Sequence, residues 1–185
     1  MQREKKRVLA ISGMPGAGKG VAAEAAKQLG MQVLVLGDII RQETQRRGLD
    51  PTPKNVGNVM LQLRTEEGPA AVARRLIPKV DATHSSTVVV EGIRSLHELS
   101  ELKSKFDVVT VAIHASPASR FQRLLSRNRS DDPKTWEVFQ ERDTRELEVG
   151  LGDVIALAET ILCNESTIAE LQAKFKEVVS RLTER

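Results

Sequence analysis

The sequence lacks several features that would assign it to common protein classes. Its 185 residues contain one cysteine, Cys163, and no tyrosine, and aromatic residues make up only 3% of the chain. A single cysteine excludes an internal disulfide framework and a cysteine-based zinc cluster. The scarcity of aromatic side chains leaves no stacking platform for single-stranded nucleic acid. Because the net charge is only +3, the composition predicts no nucleic-acid partner.

Long apolar runs are also missing. No stretch approaches the roughly 20 apolar residues that span a bilayer, and the basic N-terminus does not lead into a signal-peptide core. A hydrophobic content of 40% with 29% charged residues is typical of a soluble domain. We therefore expect a single domain over residues 1–185, located in the cytoplasm, with no membrane partner, as a monomer or small homo-oligomer.

Short apolar runs alternate with helical patterns along the chain. Five runs are rich in β-branched residues and apolar on consecutive positions, as strands buried on both faces of a sheet must be. They are residues 8–11, 33–36, 87–90, 108–113 and 161–163. The alternation predicts an α/β fold of three layers, in which a five-stranded parallel sheet has helices on both faces.

Some helix boundaries and faces can be read from the sequence. Ser95 and Glu98 form a capping box, which predicts a helix that begins just after Arg94. The last helix carries apolar residues on one face, namely Ile168, Leu171, Phe175, Val178 and Leu182. Two segments exceed a minimal strand–helix alternation: residues 38–80 hold two or three helical pieces, and residues 128–150 are strongly charged. Both are predicted to lie over a site at the carboxyl ends of the strands.

A glycine-rich turn follows the first apolar run. Residues 12–20 read SGMPGAGKG, which fits the G-x-x-x-x-G-K spacing of a phosphate-binding loop. The glycines allow positive φ angles that turn backbone N–H groups inward, and the N-terminus of the next helix adds partial positive charge. Lys19 can then reach the outer phosphates of a nucleotide. The predicted phosphate-binding residues are Gly13, Met14, Pro15, Gly16, Ala17, Gly18, Lys19, Gly20 and Val21.

This loop resembles that of adenylate kinases and other nucleoside monophosphate kinases, which reads G-x-P-G-x-G-K-G-T. A glycine at position 20 is usual in that family, whereas Val21 stands where a threonine is usual. Without a hydroxyl at either position, Mg²⁺ would have to be held by ATP, waters and a carboxylate. The whole pattern is most similar to the archaeal adenylate-kinase-related proteins, and more distantly to dephospho-CoA kinases. The resemblance implies a P-loop kinase fold with ATP and Mg²⁺ as cofactors.

Two downstream motifs extend the resemblance. LGDIIR is similar to T-G-D-x-[LI]-R, and EGIR is similar to D-G-F-P-R, with Glu for Asp and one residue missing. The resemblance implies that residues 38–80 bind the phosphoryl acceptor and that Arg41 and Arg94 hold its phosphate. It also implies that Glu91 lies near Mg²⁺ and contacts it through water. The implied acceptor-binding residues are Gly37, Asp38, Arg41, Glu91, Gly92 and Arg94.

Arginines in the second half of the chain match the family less closely. Arg123 and Arg127 have the R-x-x-x-R spacing that contacts ATP, and Arg142 and Arg145 resemble arginines on the far side of a lid, here residues 128–150. Phosphoryl transfer needs positioning and charge neutralisation, which planar guanidinium groups supply. The alternative is that Arg123 and Arg127, with Arg120, form a solvated stripe on one helix face. The implied catalytic residues are Lys19, Arg94, Arg127 and Asp38.

The role of Asp38 and the acceptor stay open. Asp38 can act as a base for an alcohol acceptor, contact a nucleotide, or cap a helix that starts at Ile39. The leading hypothesis is transfer of the γ-phosphate of Mg-ATP to a nucleoside monophosphate, with AMP favoured. A hydroxyl kinase of the dephospho-CoA type and an ATP- or AMP-responsive regulatory or assembly ATPase are the alternatives. Glu98 stands where adenylate kinases have the glutamine that reads adenine, so the base is not determined.

Overall fold

A single parallel sheet organises the computed structural model, which describes residues 5–129 and 132–183. In the described residues the sheet has five strands in the order β2-β3-β1-β4-β5, and every neighbouring pair is parallel. The strands are Arg7–Ser12 (β1), Gln32–Val35 (β2), Thr87–Ile93 (β3), Asp107–His114 (β4) and Thr160–Cys163 (β5). The predicted five-stranded parallel sheet is confirmed.

In the described residues, one helix follows each of β1, β3 and β5, and three helices in a row follow each of β2 and β4. They are Lys19–Gln28 (α1), Leu36–Arg46 (α2), Pro53–Glu67 (α3), Ala71–Asp81 (α4), Leu96–Lys105 (α5), Pro117–Arg127 (α6), Trp136–Glu148 (α7), Leu151–Ala156 (α8) and Ile168–Thr183 (α9). Among the described residues, no helix is long and apolar enough to cross a membrane.

Strand β1 lies at the centre of the sheet and supplies side chains to both of its faces. Val8 and Ala10 belong to one buried cluster, together with residues of α2, α3, α4, α5 and α8. Leu9 and Ile11 belong to the other cluster, which α1 and α9 cover. Because successive side chains of a strand point to opposite faces, β1 must be apolar at every position. Helices therefore cover both faces, and the predicted three-layer fold is confirmed.

The predicted start of α5 is also confirmed. The Ser95 hydroxyl accepts a hydrogen bond from the Glu98 backbone N–H at 3.2 Å, and the helix begins at Leu96. The Glu98 carboxylate reaches back to the Arg94 N–H at 2.8 Å, one residue earlier than in a standard capping box. This contact links the helix start to a predicted acceptor residue.

Two predictions at the end of β2 are wrong. Leu36 does not continue the strand: β2 stops at Val35, whose extended backbone forms the N-cap of α2, and Leu36 turns into the core. The helix therefore starts three residues before Ile39. Asp38 lies inside its first turn and caps no helix; its carboxylate instead accepts from the Arg41 guanidinium.

The predicted apolar face of α9 is wrong at its first residue. Leu171, Phe175 and Val178 are buried against the sheet, but the Ile168 side chain is 65% exposed. Ile168 begins the helix one turn before Leu171, the first residue that reaches the core. Periodicity identifies the face of a helix but not how far along it the core extends.

Candidate active site

The glycine-rich loop connects β1 to α1 at the carboxyl end of the central strand. A Cβ atom at Gly13 would lie 2.3 Å from the carbonyl oxygen of Ile113, and one at Gly18 would lie 2.4 Å from the amide nitrogen of Asn164. Both glycines also have positive φ, so no other residue fits either position without strain. The Asn164 amide donates to the Ala17 carbonyl at 2.8 Å, which fastens the loop to the segment after β5.

Lys19 lies at the centre of the site. Its ammonium donates to the carbonyl oxygens of Gly13 at 2.6 Å and Met14 at 3.2 Å. Burial lowers the pKa of Lys19 from 10.5 to about 8. Glu91 and Glu146 act to raise this pKa, whereas Arg94 and Arg142 act to lower it. The structure thus brings two acids and two arginines to the loop lysine.

A bulge in β3 positions Glu91 and Arg94. Ile11 of β1 pairs with Glu91, but the next residue, Ser12, pairs with Ile93, so Gly92 is the extra residue on β3. The buried Ser12 hydroxyl donates to the Ile93 carbonyl at 2.8 Å. The EGIR motif therefore ends the strand beside the phosphate-binding loop.

The Arg94 guanidinium lies between α3 and α7. Its Nη1 donates to the Met60 sulfur at 3.1 Å, and its Nε lies 3.4 Å from Oε2 of Glu146, without hydrogen-bond geometry. A thioether is a weak acceptor. Both contacts of the Arg94 guanidinium are therefore weak, and a phosphate oxygen can replace them.

Asp38 and Arg41 lie apart from this cluster. Their side chains are each 52% exposed and pair with each other across one turn of α2. Gly37 lies against the same guanidinium group. Neither charged side chain contacts Arg94 or Lys19 in the described structure. The structure therefore does not bring Arg41 and Arg94, the two predicted phosphate-holding arginines, together.

The arginines of α6 have three different environments. Arg120 is 3% exposed, which contradicts a fully solvated stripe; it binds both carboxylate oxygens of Asp143 and donates to the Pro15 carbonyl at 3.1 Å. Arg123 donates to the Asn164 carbonyl at 2.8 Å. Arg127 is bound to Asp132, with an Nε–Oδ2 distance of 2.9 Å.

Helix α7 closes the other side of the site. Arg142 is half-buried and lies 3.8 Å from Asp132, and Arg145 is exposed. The aromatic rings of Trp136, Phe139 and Phe121 pack together at the start of this helix. Residues 130 and 131, within the predicted lid, lie outside the described residues.

Sequence reasoning missed three residues of the site. Asn164 holds the loop, Arg120 joins the loop to α7, and Glu146 reaches Arg94. Asn164 is 147 positions from its partner Ala17, so no local pattern could reveal the contact. For Arg120, the signal was its place on one helix face with two predicted ATP-contacting arginines.

Phosphate-binding loops of this kind, at the carboxyl ends of a five-stranded parallel sheet, define the P-loop kinases, and this chain is a protein of that class. A family model described as an AAA domain matches residues 12–140, and the chain belongs to that family. It is 44% identical over 183 residues to a UPF0200 protein of Hyperthermus butylicus, covering 99% of this chain and 98% of the relative. It is 47% identical over 180 residues to a UPF0200 protein of Pyrococcus furiosus, covering 95% and 97%.

Solved structures share the fold at low sequence identity. Shikimate kinase from Acinetobacter baumannii, in complex with shikimate, has a TM-score of 0.60 at 15% identity, covering 99% of this chain and 95% of that one. A gluconokinase from Sinorhizobium meliloti has a TM-score of 0.60 at 19% identity, covering 98% and 96%. These likenesses show the fold alone. Family and fold together support a kinase that acts on a nucleotide or another small molecule.

Proposed function

We propose that this chain transfers the γ-phosphate of Mg-ATP to a nucleoside monophosphate. The observation that carries the proposal is the closeness of Arg94 to Lys19: burial is the main cause of the lowered pKa of the lysine, and the charge of Arg94 lowers this pKa further. Two cations held this close suit two anionic groups that must meet, a transferring phosphoryl group at Lys19 and an acceptor phosphate at Arg94. Positioning of this kind supplies most of the catalysis in phosphoryl transfer.

The helices around Arg94 support separate roles for two segments of the chain, acceptor binding and lid closure. Residues 38–80 include α3, whose Met60 contacts the Arg94 guanidinium, and we assign this segment to acceptor binding. Residues 128–150 include α7, whose Glu146 approaches the same group from the other side, and we assign this segment to the lid. A lid keeps water from taking the phosphoryl group.

The donor set fits a Mg²⁺ ion that arrives with ATP. Gly20 and Val21 offer no hydroxyl, the Ser12 hydroxyl is bound to Ile93, and no three acidic, histidine or cysteine side chains among the described residues could hold a metal. Mg²⁺ commonly keeps several waters and binds one or two carboxylates plus phosphates. Glu91 is the residue that we propose to hold it, through water. The ion would supply charge neutralisation between the phosphates.

The proposal is tested by following labelled γ-phosphate from Mg-ATP. The acceptors are all nucleoside monophosphates, dephospho-CoA and a no-acceptor blank, and AMP is the one that the sequence resemblance favours. We expect label in a monophosphate, and we expect Lys19→Ala to abolish it. Label that appears only as free phosphate, and that depends on Lys19, would instead indicate a regulatory or assembly ATPase.

The acceptor role of Arg94 has its own control. Arg94→Ala should raise the KM for the monophosphate by about 10- to 100-fold, as expected for a lost hydrogen bond to a charged group. Arg181→Ala, which removes an exposed arginine on α9, outside the acceptor segment and the lid, should leave it unchanged. An unchanged acceptor KM in Arg94→Ala would contradict the assignment.

A hydroxyl kinase of the dephospho-CoA type is the second candidate. The observation that favours it is Asp38, a half-exposed carboxylate that caps no helix and is bound to Arg41 one turn along α2, where an alcohol can still reach it and give up a proton. Asp38→Asn would then abolish turnover while the acceptor still binds. Transfer of label to dephospho-CoA alone would establish this candidate.

A further inference from the structure

Glu146 of α7 approaches Arg94 from the segment that we assign to the lid. Its side chain is 12% exposed, and its Oε2 atom is sealed from solvent without a hydrogen-bond donor among residues 5–129 and 132–183. That oxygen lies 3.4 Å from Nε of Arg94, close enough for an ion pair but without hydrogen-bond geometry. Burying a charged oxygen without hydrogen bonds is costly, so its position calls for an explanation.

The guanidinium of Arg94 has two edges that can bind an anion in bidentate fashion, Nε with Nη2 and Nη1 with Nη2. Glu146 faces the first edge through Nε, and the Met60 sulfur accepts from the second edge through Nη1 at 3.1 Å. A protein group therefore lies against each edge in the free protein. An acceptor phosphate that binds Arg94 with two hydrogen bonds must displace one of them.

Of these two groups, Glu146 is charged, and its displacement has the larger effect. It also acts to raise the pKa of Lys19, so its negative charge lies near both of the cations that we assign to phosphates. A phosphate on Arg94 would meet this charge at short range, and like charges repel strongly where the surroundings are buried. Glu146 therefore opposes the anion that Arg94 is proposed to bind.

A second contact, one turn earlier on α7, keeps the helix in place when Glu146 leaves. Asp143 precedes Glu146 by three positions, so the two side chains share a face of the helix. Asp143 accepts from the buried Arg120 guanidinium at 2.8 Å, and the same guanidinium donates to the Pro15 carbonyl of the phosphate-binding loop at 3.1 Å. Glu146 can therefore leave Arg94 while α7 stays attached to the loop.

We propose, on the basis of the nucleoside monophosphate kinase function above, that Glu146 is an autoinhibitory group. It neutralises Arg94 in the free protein, and the phosphate of the acceptor binds by displacing it. Arg94 is thereby withheld from other anions until the acceptor arrives. The affinity for the acceptor is lower than the arginine alone would give, because part of the binding energy is used to displace Glu146.

Calorimetric binding of AMP, GMP, CMP and UMP, without ATP, tests the sign of this effect. Glu146→Gln keeps the shape of the side chain but removes its charge. It should tighten binding of the monophosphate by about 5- to 150-fold, the usual range for coupling within a protein. Glu146→Ala removes the carboxylate without adding an amide donor, and it should tighten binding too.

The matched control is Glu177→Gln on α9. It removes the charge of an exposed side chain outside the acceptor segment and the lid, and it should leave the affinity unchanged. A carboxylate that merely holds Arg94 in position predicts the opposite sign. Weaker or unchanged binding in Glu146→Gln and Glu146→Ala, with the circular dichroism spectrum of the unaltered chain, overturns the proposal. A gain in affinity cannot come from misfolding.

The effect must also depend on Arg94. In Arg94→Ala the carboxylate has no guanidinium to occupy, so adding Glu146→Gln should no longer tighten binding. A gain of the same size in that background would assign the effect to general repulsion between Glu146 and the phosphate, and it would overturn the competition for Arg94.

Failure of the proposed function gives a different result. In that case no monophosphate binds to the unaltered chain or to Glu146→Gln, in protein that still binds ATP. A monophosphate that binds the unaltered chain, and binds Glu146→Gln no more tightly, overturns only the inference about Glu146.

Discussion

Among single residues, Lys19 has the shifted pKa that bears most directly on the phosphate-binding loop. It is buried, it donates to carbonyls of its own loop, and its pKa is lowered from 10.5 to about 8. Among the described residues, no carboxylate is in hydrogen-bond contact with this ammonium, which is therefore held ready for an anion. Its protonation near neutral pH controls what the loop can bind.

The affinity for ATP should fall as the pH rises above the pKa of Lys19. In the free protein this pKa is about 8, and phosphates bind the protonated form. ATP affinity should therefore fall about tenfold between about pH 7 and about pH 9. Calorimetric titrations across this range, with Lys19→Met as the control, check the prediction. A slope of the same size in Lys19→Met would assign the effect to another group.

The same pKa shift predicts the direction of a change in stability. At pH values between the folded pKa of about 8 and the unfolded pKa of 10.5, the unfolded chain keeps the Lys19 proton that the folded chain has lost. In this pH range the free energy of unfolding therefore rises with pH. Below about pH 8, the burial of the charged ammonium lowers the stability of the folded chain. Urea unfolding at both ends of this range measures it. Relative to the unaltered chain, Lys19→Met should be more stable at the lower pH than at the higher pH. An equal difference in unfolding free energy between the two proteins at both pH values would contradict the pKa shift.

Among the elements, α7 is joined to its neighbours by buried polar contacts. Asp143 binds Arg120, whose guanidinium also lies 4.9 Å from the centre of the Phe139 ring. Asp132, just before the helix, is buried and bound to Arg127. The predicted lid is thus anchored to α6 at two places in the described structure.

Removing the carboxylate of Asp143 should therefore be costly. Asp143→Ala leaves the Arg120 guanidinium buried without its partner, and the expected loss is about 3–5 kcal/mol of unfolding free energy. Arg120→Met with Asp143→Leu should recover most of it, because no buried charge remains. Urea unfolding measures both, and Glu141→Ala, on the exposed side of α7, should change stability by no more than about 0.5 kcal/mol. A small loss in Asp143→Ala would mean that water reaches Arg120.

For the whole molecule, the central strand makes the two cores interdependent. Val8 and Ala10 belong to the core under α2–α5, and Leu9 and Ile11 belong to the core under α1 and α9. Neither core can open without exposing the sheet that the other packs on. We expect a single cooperative unfolding transition.

Phe175→Ala tests this coupling. Phe175 is fully buried in the core under α9, and its truncation should cost about 3–5 kcal/mol. The midpoint should fall equally for far-UV circular dichroism and for the fluorescence of Trp136, the single tryptophan, which lies on α7. The exposed Ile168 on the same helix is the matched control, and Ile168→Ala should leave both midpoints in place. Midpoints that separate in Phe175→Ala would show that the two cores unfold independently.

The sequence by itself determined the strands, the layers and the phosphate-binding loop of this protein. Each rests on a local rule: β-branched runs suit strands buried on both faces, and the Gly13–Lys19 spacing suits a loop of positive φ angles. The start of α5 followed from Ser95 and Glu98 for the same reason. The start of α2 did not, since a chain leaving a strand turns into a helix where the core requires it.

Only the tertiary structure decided what surrounds the loop and Arg94, the arginine that we propose to hold the acceptor. Asn164 meets Ala17 across 147 positions, Arg120 meets Asp143 across 23, and Arg64 meets Glu98 across 34. Such contacts depend on which elements the fold makes neighbours, and no local pattern encodes them. The amino-acid sequence alone indicates a phosphate site. The packing of α3 and α7 against β3 and α5 determines which groups remain available to an acceptor.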